Sequence, residues 1–152
     1  MNRIPQTPAA TILTLALLAI AAYVAFTARA ARTTEGPSLE QLELAIASPD
    51  AGSDTWMLYA QRLLQEKRFA HAAAAFQRVL ENDPYSREAN LGAASALALT
   101  KDRDALHAFL AHLLVIEPRL LLDFLGRPEA TPFMSEERFK LLHARSHAQS
   151  LD

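Results

Sequence analysis

The side chains with which this chain of 152 residues could do chemistry are five histidines and seventeen carboxylates, with no cysteine. Lack of cysteine excludes disulfides, thiolate metal sites and a thiol nucleophile, and it leaves either redox compartment open. His143 and His147 stand four residues apart, which places both on one helical face at a spacing able to chelate a metal. No third ligand or carboxylate accompanies them and no His-Glu-x-x-His motif exists, so cationic side chains at a helix end, favoured by the dipole, are the competing reading. His107 and His112 are five apart and fall on different faces, while His71 is expected on an exposed helical surface. Ser86, Ser95 and Ser135 lack the context of a nucleophile. The acids fall mainly at helix starts and turns, where they complement dipoles rather than converge on a substrate. Four scattered glycines build no phosphate-cradling loop. Neither catalysis nor a bound cofactor or resident metal is predicted.

The elements that must position any site come from composition and periodicity. Hydrophobic residues make up 51% of the chain, and alternating runs of β-branched residues are missing, so the predicted class is all-α. Residues 33–152 carry 12 basic and 17 acidic side chains, a net of −5, the wrong sign for a nucleic-acid binder.

A short polar tail, residues 1–7, precedes an apolar segment assigned to 8–31. Its core from Ala9 to Phe26 holds no charge, with Thr11 and Thr14 as the polar exceptions. As a helix rising about 1.5 Å per residue it would span roughly 27 Å, close to the hydrocarbon thickness of a bilayer. Tyr23, Phe26, Arg29 and Arg32 suit the interfacial zone. The segment therefore predicts a single-pass anchor, with a cleaved signal peptide as the alternative, since Ala28-Arg29-Ala30 offers small residues for cleavage. The charge balance across the span barely votes on orientation. A short tail remaining in the cytosol puts the domain on the extracytoplasmic side.

Residues 32–37 read as a linker. Ser38 and Gln41 form a capping box that starts a leading helix running to about Ser48, and Pro49-Asp50-Ala51-Gly52 breaks it. Ser53 or Asp54 is then expected to cap a helix carrying Trp56, Tyr59, Ala60 and Leu63. The apolar-free junction Gln65-Glu66-Lys67-Arg68 reverses the chain into a second helix with Phe69, Ala72, Phe76, Val79 and Leu80, closed by Pro84. This hairpin resembles the tetratricopeptide repeat, a 34-residue helix-turn-helix with W-x2-L-G-x2-Y, A-x3-F and P. Trp56 stands at the family's Trp, Tyr59 at its Leu, Ala60 at its Gly or Ala, Leu63 at its Tyr or Leu, Ala72 and Phe76 at A-x3-F, and Pro84 at the terminal Pro. Lys67 departs from the Gly often found at the turn.

One period further on, Ala94, Leu97 and Pro118 repeat the register of Ala60, Leu63 and Pro84, with Leu106, Leu110 and Leu113 on the second helix. Ser86 is a cap for the second copy's opening helix and Thr100-Lys101-Asp102 its turn. The repeats are assigned to 38–118, the first as 54–87 and the second as 88–121, followed by a capping segment over 119–152. In that segment Gly126 is a C′ residue, and a last helix announced by Thr131-Pro132 and Ser135-Glu136-Glu137 has Phe139, Leu141 and Leu142 as its apolar side. An ordinary antiparallel bundle with the same stripe is the alternative fold.

The resemblance implies a concave groove lined by the first helix of each repeat, at Asp54, Met57, Gln61, Leu64 and Gln65, then Glu88, Leu91, Ser95, Ala98 and Leu99. Met57, Leu64 and Leu91 would give adaptable apolar contact, while Gln61 and Ser95 would bond a peptide backbone. Family members that clamp a terminal carboxylate do so with Lys and Asn, which these positions lack. The competing reading has the chain's own leading or trailing helix covering part of the groove. The implied function is a membrane-anchored scaffold for a protein or peptide partner. Its layout is similar to the tetratricopeptide components of bacterial cytochrome c maturation, which raises an obligate subunit of a membrane complex as a second class and a His143/His147 metal protein as a third.

Overall fold

Helix starts recur in a computed structural model that describes residues 36–150. Ser53 and Arg87 open two helices 34 residues apart, and Phe69 and Arg103 open their partners at the same interval. In chain order the α-helices are α1 (Leu39–Ile46), α2 (Ser53–Gln65), α3 (Phe69–Asn82), α4 (Arg87–Thr100), α5 (Arg103–Ile116), α6 (Pro118–Leu125) and α7 (Glu137–Gln149), with a 3₁₀ helix over Pro128–Phe133 between the last two. No strand occurs among the described residues. The apolar span of 8–31 lies outside the described residues, and no helix among those described is long and apolar enough to cross a membrane.

Ala60, Ala72 and Ala94, the small residues on which close helix pairing depends, are all fully buried. They belong to two cores that meet at α4. Ala89, Ala93 and Ala96 pack against Ala60, Leu63, Ala72, Phe76 and Val79. Leu91, Ala94 and Ala98 pack instead with Leu106, Leu110, Phe124, Phe133 and Phe139. Because α4 is apolar on two sides and built mostly of alanine, elements on both sides can approach its backbone. Phe76, Phe124 and Phe139 are the largest fully buried side chains, each worth about 1.5–3 kcal/mol of transfer free energy.

The two hairpin turns share a backbone feature. Lys67 and Lys101, 34 residues apart, both adopt positive φ, 60° and 63°. That left-handed conformation is the one for which glycine is favoured, so the family's usual Gly is replaced here at a steric cost, twice.

Several helix ends differ from the sequence reading, for local reasons. The leading helix ends at Ile46, short of Ser48. Gly52, in extended conformation, is the N-cap of α2, so Ser53 and Asp54 fall inside the first turn, where Asp54 complements the dipole. Ser86 caps α4 as expected, its Oγ accepting from the Ala89 amide at 3.4 Å, and Asp102 does the same for α5 from Ala105 at 3.0 Å. Gly126 ends α6 with φ −76°, right-handed rather than left-handed, because the chain runs on through Pro128 into the 3₁₀ helix instead of reversing. Glu136 stands at the N-cap of α7, with Glu137 inside its first turn. On α7 the buried stripe is Phe139, Leu142 and Ser146, at three- and four-residue steps; Leu141 lies off it and is exposed.

The C-terminal elements hold to the second hairpin by packing and by polar ties. Buried Ser146 donates its hydroxyl to the Pro118 carbonyl, joining α7 to the start of α6. Arg103 pairs with Glu136, and Arg138 pairs with Asp104 at 2.6 Å and Glu136 at 3.1 Å, linking the first turns of α5 and α7. The Arg138 guanidinium, hydrogen-bonded to Asp104, holds that carboxyl below the usual carboxylate range. Asn90, at the register of Trp56, is buried and donates through Nδ2 to the carbonyls of Pro84 and Ser86 at 2.9 and 3.0 Å. It fastens the inter-repeat turn by hydrogen bonds where the first copy uses an aromatic wedge.

Candidate functional site

Where α2 and α4 lie side by side, a cleft of about 450 Å³ opens, lined by Gln61, Leu64, Phe76, Arg87, Glu88, Leu91, Gly92 and Arg127. Its apolar floor is Leu64, Leu91 and the ring of Phe76. Gly92 allows that ring to be there: a Cβ built on it would lie under 3.0 Å from three Phe76 ring carbons. Glycine inside a helix costs about 0.5–1 kcal/mol relative to alanine, so a close packing contact explains its presence.

The polar walls are already organised. Gln61 Nε2 donates to Glu88 Oε1, tying α2 to α4 across the cleft. Arg87 pairs with Asp123 of α6 at 2.6 Å, both side chains remaining largely exposed. Arg127 enters from the loop after α6. One of its guanidinium nitrogens donates to Ser95 Oγ at 3.4 Å and lies 4.0 Å from Glu129. The Ser95 hydroxyl in turn donates to Glu129 Oε1 at 2.8 Å.

Of the residues expected to line the groove, Gln61, Leu64 and Leu91 come together in this cleft. Met57 is half-buried against the first core instead. Leu91 is 7% exposed, a floor residue that is also part of the second core. Ser95 is buried, its hydroxyl spent on Glu129. Ala98 has joined the second core, and Leu99 is exposed outside the cleft. Over the second hairpin, then, the trailing segment covers Ser95, and a separate cleft of about 440 Å³ remains beyond it, lined by Ala98, Leu99, Lys101, Arg103, Glu129, Pro132 and Phe133. Sequence reasoning missed Arg127 because it lies outside both repeats and nothing in the repeat register points to it. Gly92 was legible in principle, as a lone glycine inside a helical pattern that needs a packing reason.

Residues 53–96 match a family model described as tetratricopeptide repeat. Over those residues the chain is similar to a tetratricopeptide repeat. The match covers α2, α3 and most of α4, the three helices that hold the floor of the cleft. No curated protein and no solved structure matches the chain. Stacked helical repeats of this kind present concave binding surfaces. His143 and His147 place their rings 4.7 Å apart, edge to face, and no group of three metal-ligating side chains occurs among the described residues.

Proposed function

We propose that the chain is a membrane-tethered tetratricopeptide-repeat adaptor that holds a segment of a protein partner in the cleft between α2 and α4. The observation that carries this reading is an open concave face with an apolar floor and polar walls on the first repeat, next to a second repeat whose matching residue Ser95 is taken up by Glu129 of the trailing segment. The tether rests on the uncharged stretch from Ala9 to Phe26, and the reading places the domain on the extracytoplasmic side. Tethering would act by raising the local concentration of partner and adaptor at the bilayer surface. The test is affinity capture from detergent-solubilised membranes with the native chain and with Gln61→Trp, which fills the cleft from a partly exposed position. Partners recovered by the native chain and lost with the variant support the reading; identical recovery overturns it.

An obligate structural subunit of an envelope assembly complex, of the layout seen in cytochrome c maturation, is the second reading. The side chains such a neighbour could cover include Leu44, Tyr85 and Val115, which are 72%, 70% and 82% exposed. In that case co-purifying chains would survive Gln61→Trp and be lost with Val115→Glu or Leu44→Glu.

A further inference from the structure

We infer that the end of the domain formed by the two hairpin turns, where Lys67 and Lys101 stand, is the surface that lies against the headgroups of the bilayer. This placement rests on the membrane tether proposed above and adds which side of the domain the bilayer meets.

The chain enters the domain at that end. Glu43 of α1 pairs with Arg68 of the first turn at 3.4 Å, while Ile46, Ala47 and Pro49 border a cleft with Trp56 and Asn82 at the other end of the hairpin. Leu39, one turn before Glu43, therefore opens α1 at the turn end. Residues 32–38, which join it to the apolar segment, reach at most about 25 Å when fully extended. Helices α2 and α3, of 13 and 14 residues, are about 20 Å long. The turn end is thus held near the bilayer, and the opposite end stands a helix length farther out.

Charge favours the same orientation. At the turn end Arg62 pairs with Glu66, Arg68 with Glu43, Arg103 with Glu136 and Arg138 with Asp104. That leaves Lys67 and Lys101 to balance Glu40 and Asp102. At the opposite end Asp50, Asp54, Asp83 and Glu117 take part in no ion pair among the described residues, against the unpaired cations Arg119 and Arg145. The negative excess of the domain is gathered there, so an anionic headgroup layer repels that end and leaves the turn end uncontested.

The two lysines supply the contacts. Each holds a left-handed φ, where glycine would carry no steric cost, and each is exposed without a partner among the described residues. Their 34-residue interval brings both out at one end of the domain. A compact ammonium on a flexible four-carbon stem suits a headgroup phosphate.

Because the chain has no cysteine, single cysteines can be introduced and labelled cleanly. The experiment puts a fluorophore at Gln65→Cys or Leu99→Cys on the turn end, and at Asp50→Cys or Tyr85→Cys on the opposite end. Each full chain is held in nanodiscs of phosphatidylcholine and phosphatidylglycerol, and a nitroxide on the lipid headgroup acts as quencher. Quenching several-fold stronger at positions 65 and 99 than at 50 and 85 is the expected result. Combining Lys67→Glu with Lys101→Glu should reduce that contrast, as should raised salt; far-UV circular dichroism and melting temperature matching the native chain show that the double variant keeps its fold. Equal quenching at the two ends, or stronger quenching at positions 50 and 85, overturns the placement and leaves the tether intact. A double variant quenched like the native chain overturns the part given to the lysines. A chain that separates from the nanodiscs on gel filtration overturns the tether and the placement together.

Discussion

Gln61 and Ser95 occupy the same register of successive hairpins, 34 residues apart, yet Gln61 lines an open cleft and Ser95 is buried against Glu129. Leu64 and Ala98 repeat the contrast, the first on the floor of the cleft and the second inside a core. Trp56 and Asn90 show a third version, an aromatic wedge exchanged for a pair of hydrogen bonds to backbone carbonyls. The two hairpins thus share a backbone plan and differ in what is laid over it. Register decides which way a side chain points; the neighbour it meets decides whether that residue is a ligand contact or core.

The comparison can be broken most forcefully at the shared helix α4, against which both cores are built. Phe124→Ala, in the second core, should destabilise the domain by about 3–5 kcal/mol. If α4 couples the cores, the urea transition reported by Trp56, the sole tryptophan and a first-hairpin residue, will shift together with the far-UV signal. An unmoved Trp56 transition would mean that the hairpins unfold independently. Gly92→Ala should cost about 1–3 kcal/mol through overpacking against Phe76, despite the gain of about 0.5–1 kcal/mol in helix propensity; equilibrium denaturation reads the sign.

Smaller changes sharpen the contrast. Ser95→Ala strips a partner from partly buried Glu129 and should cost about 1 kcal/mol, whereas Gln61→Ala at the matching position should stay within about 0.5 kcal/mol because its side chain faces the open cleft. Equal effects would contradict the difference in covering. The mildest expectation concerns what the hairpins share: Lys67→Gly and Lys101→Gly should each stabilise by about 0.5–1 kcal/mol, seen as a rise in melting temperature, since both positions have positive φ.

Much of the architecture is legible from local pattern. The steps from Trp56 to Leu63 and from Phe69 to Leu80 place the first hairpin, and the interval from Pro84 to Pro118 places the second, because helical period and proline breaks act over a few residues at a time. The Ser86 cap was legible for the same reason. The N-cap positions Gly52 and Glu136 were not, since neither makes a side-chain cap bond and no capping chemistry marks them in the sequence. Leu141 was assigned to the interior of α7 because it is apolar, but the facing core selected the stripe of Phe139, Leu142 and Ser146.

The sequence by itself determined an all-helical plan for the described residues, a two-copy register and the similarity of residues 53–96 to a tetratricopeptide repeat, all of them consequences of residue spacing. Only the tertiary structure decided that the groove is open at Gln61 and closed over Ser95 by Glu129, and that an arginine from outside the repeats stands at its end. The physical reason is that covering a surface requires segments far apart in the chain to pack together, and no period within a helix carries information about which distant segment will arrive.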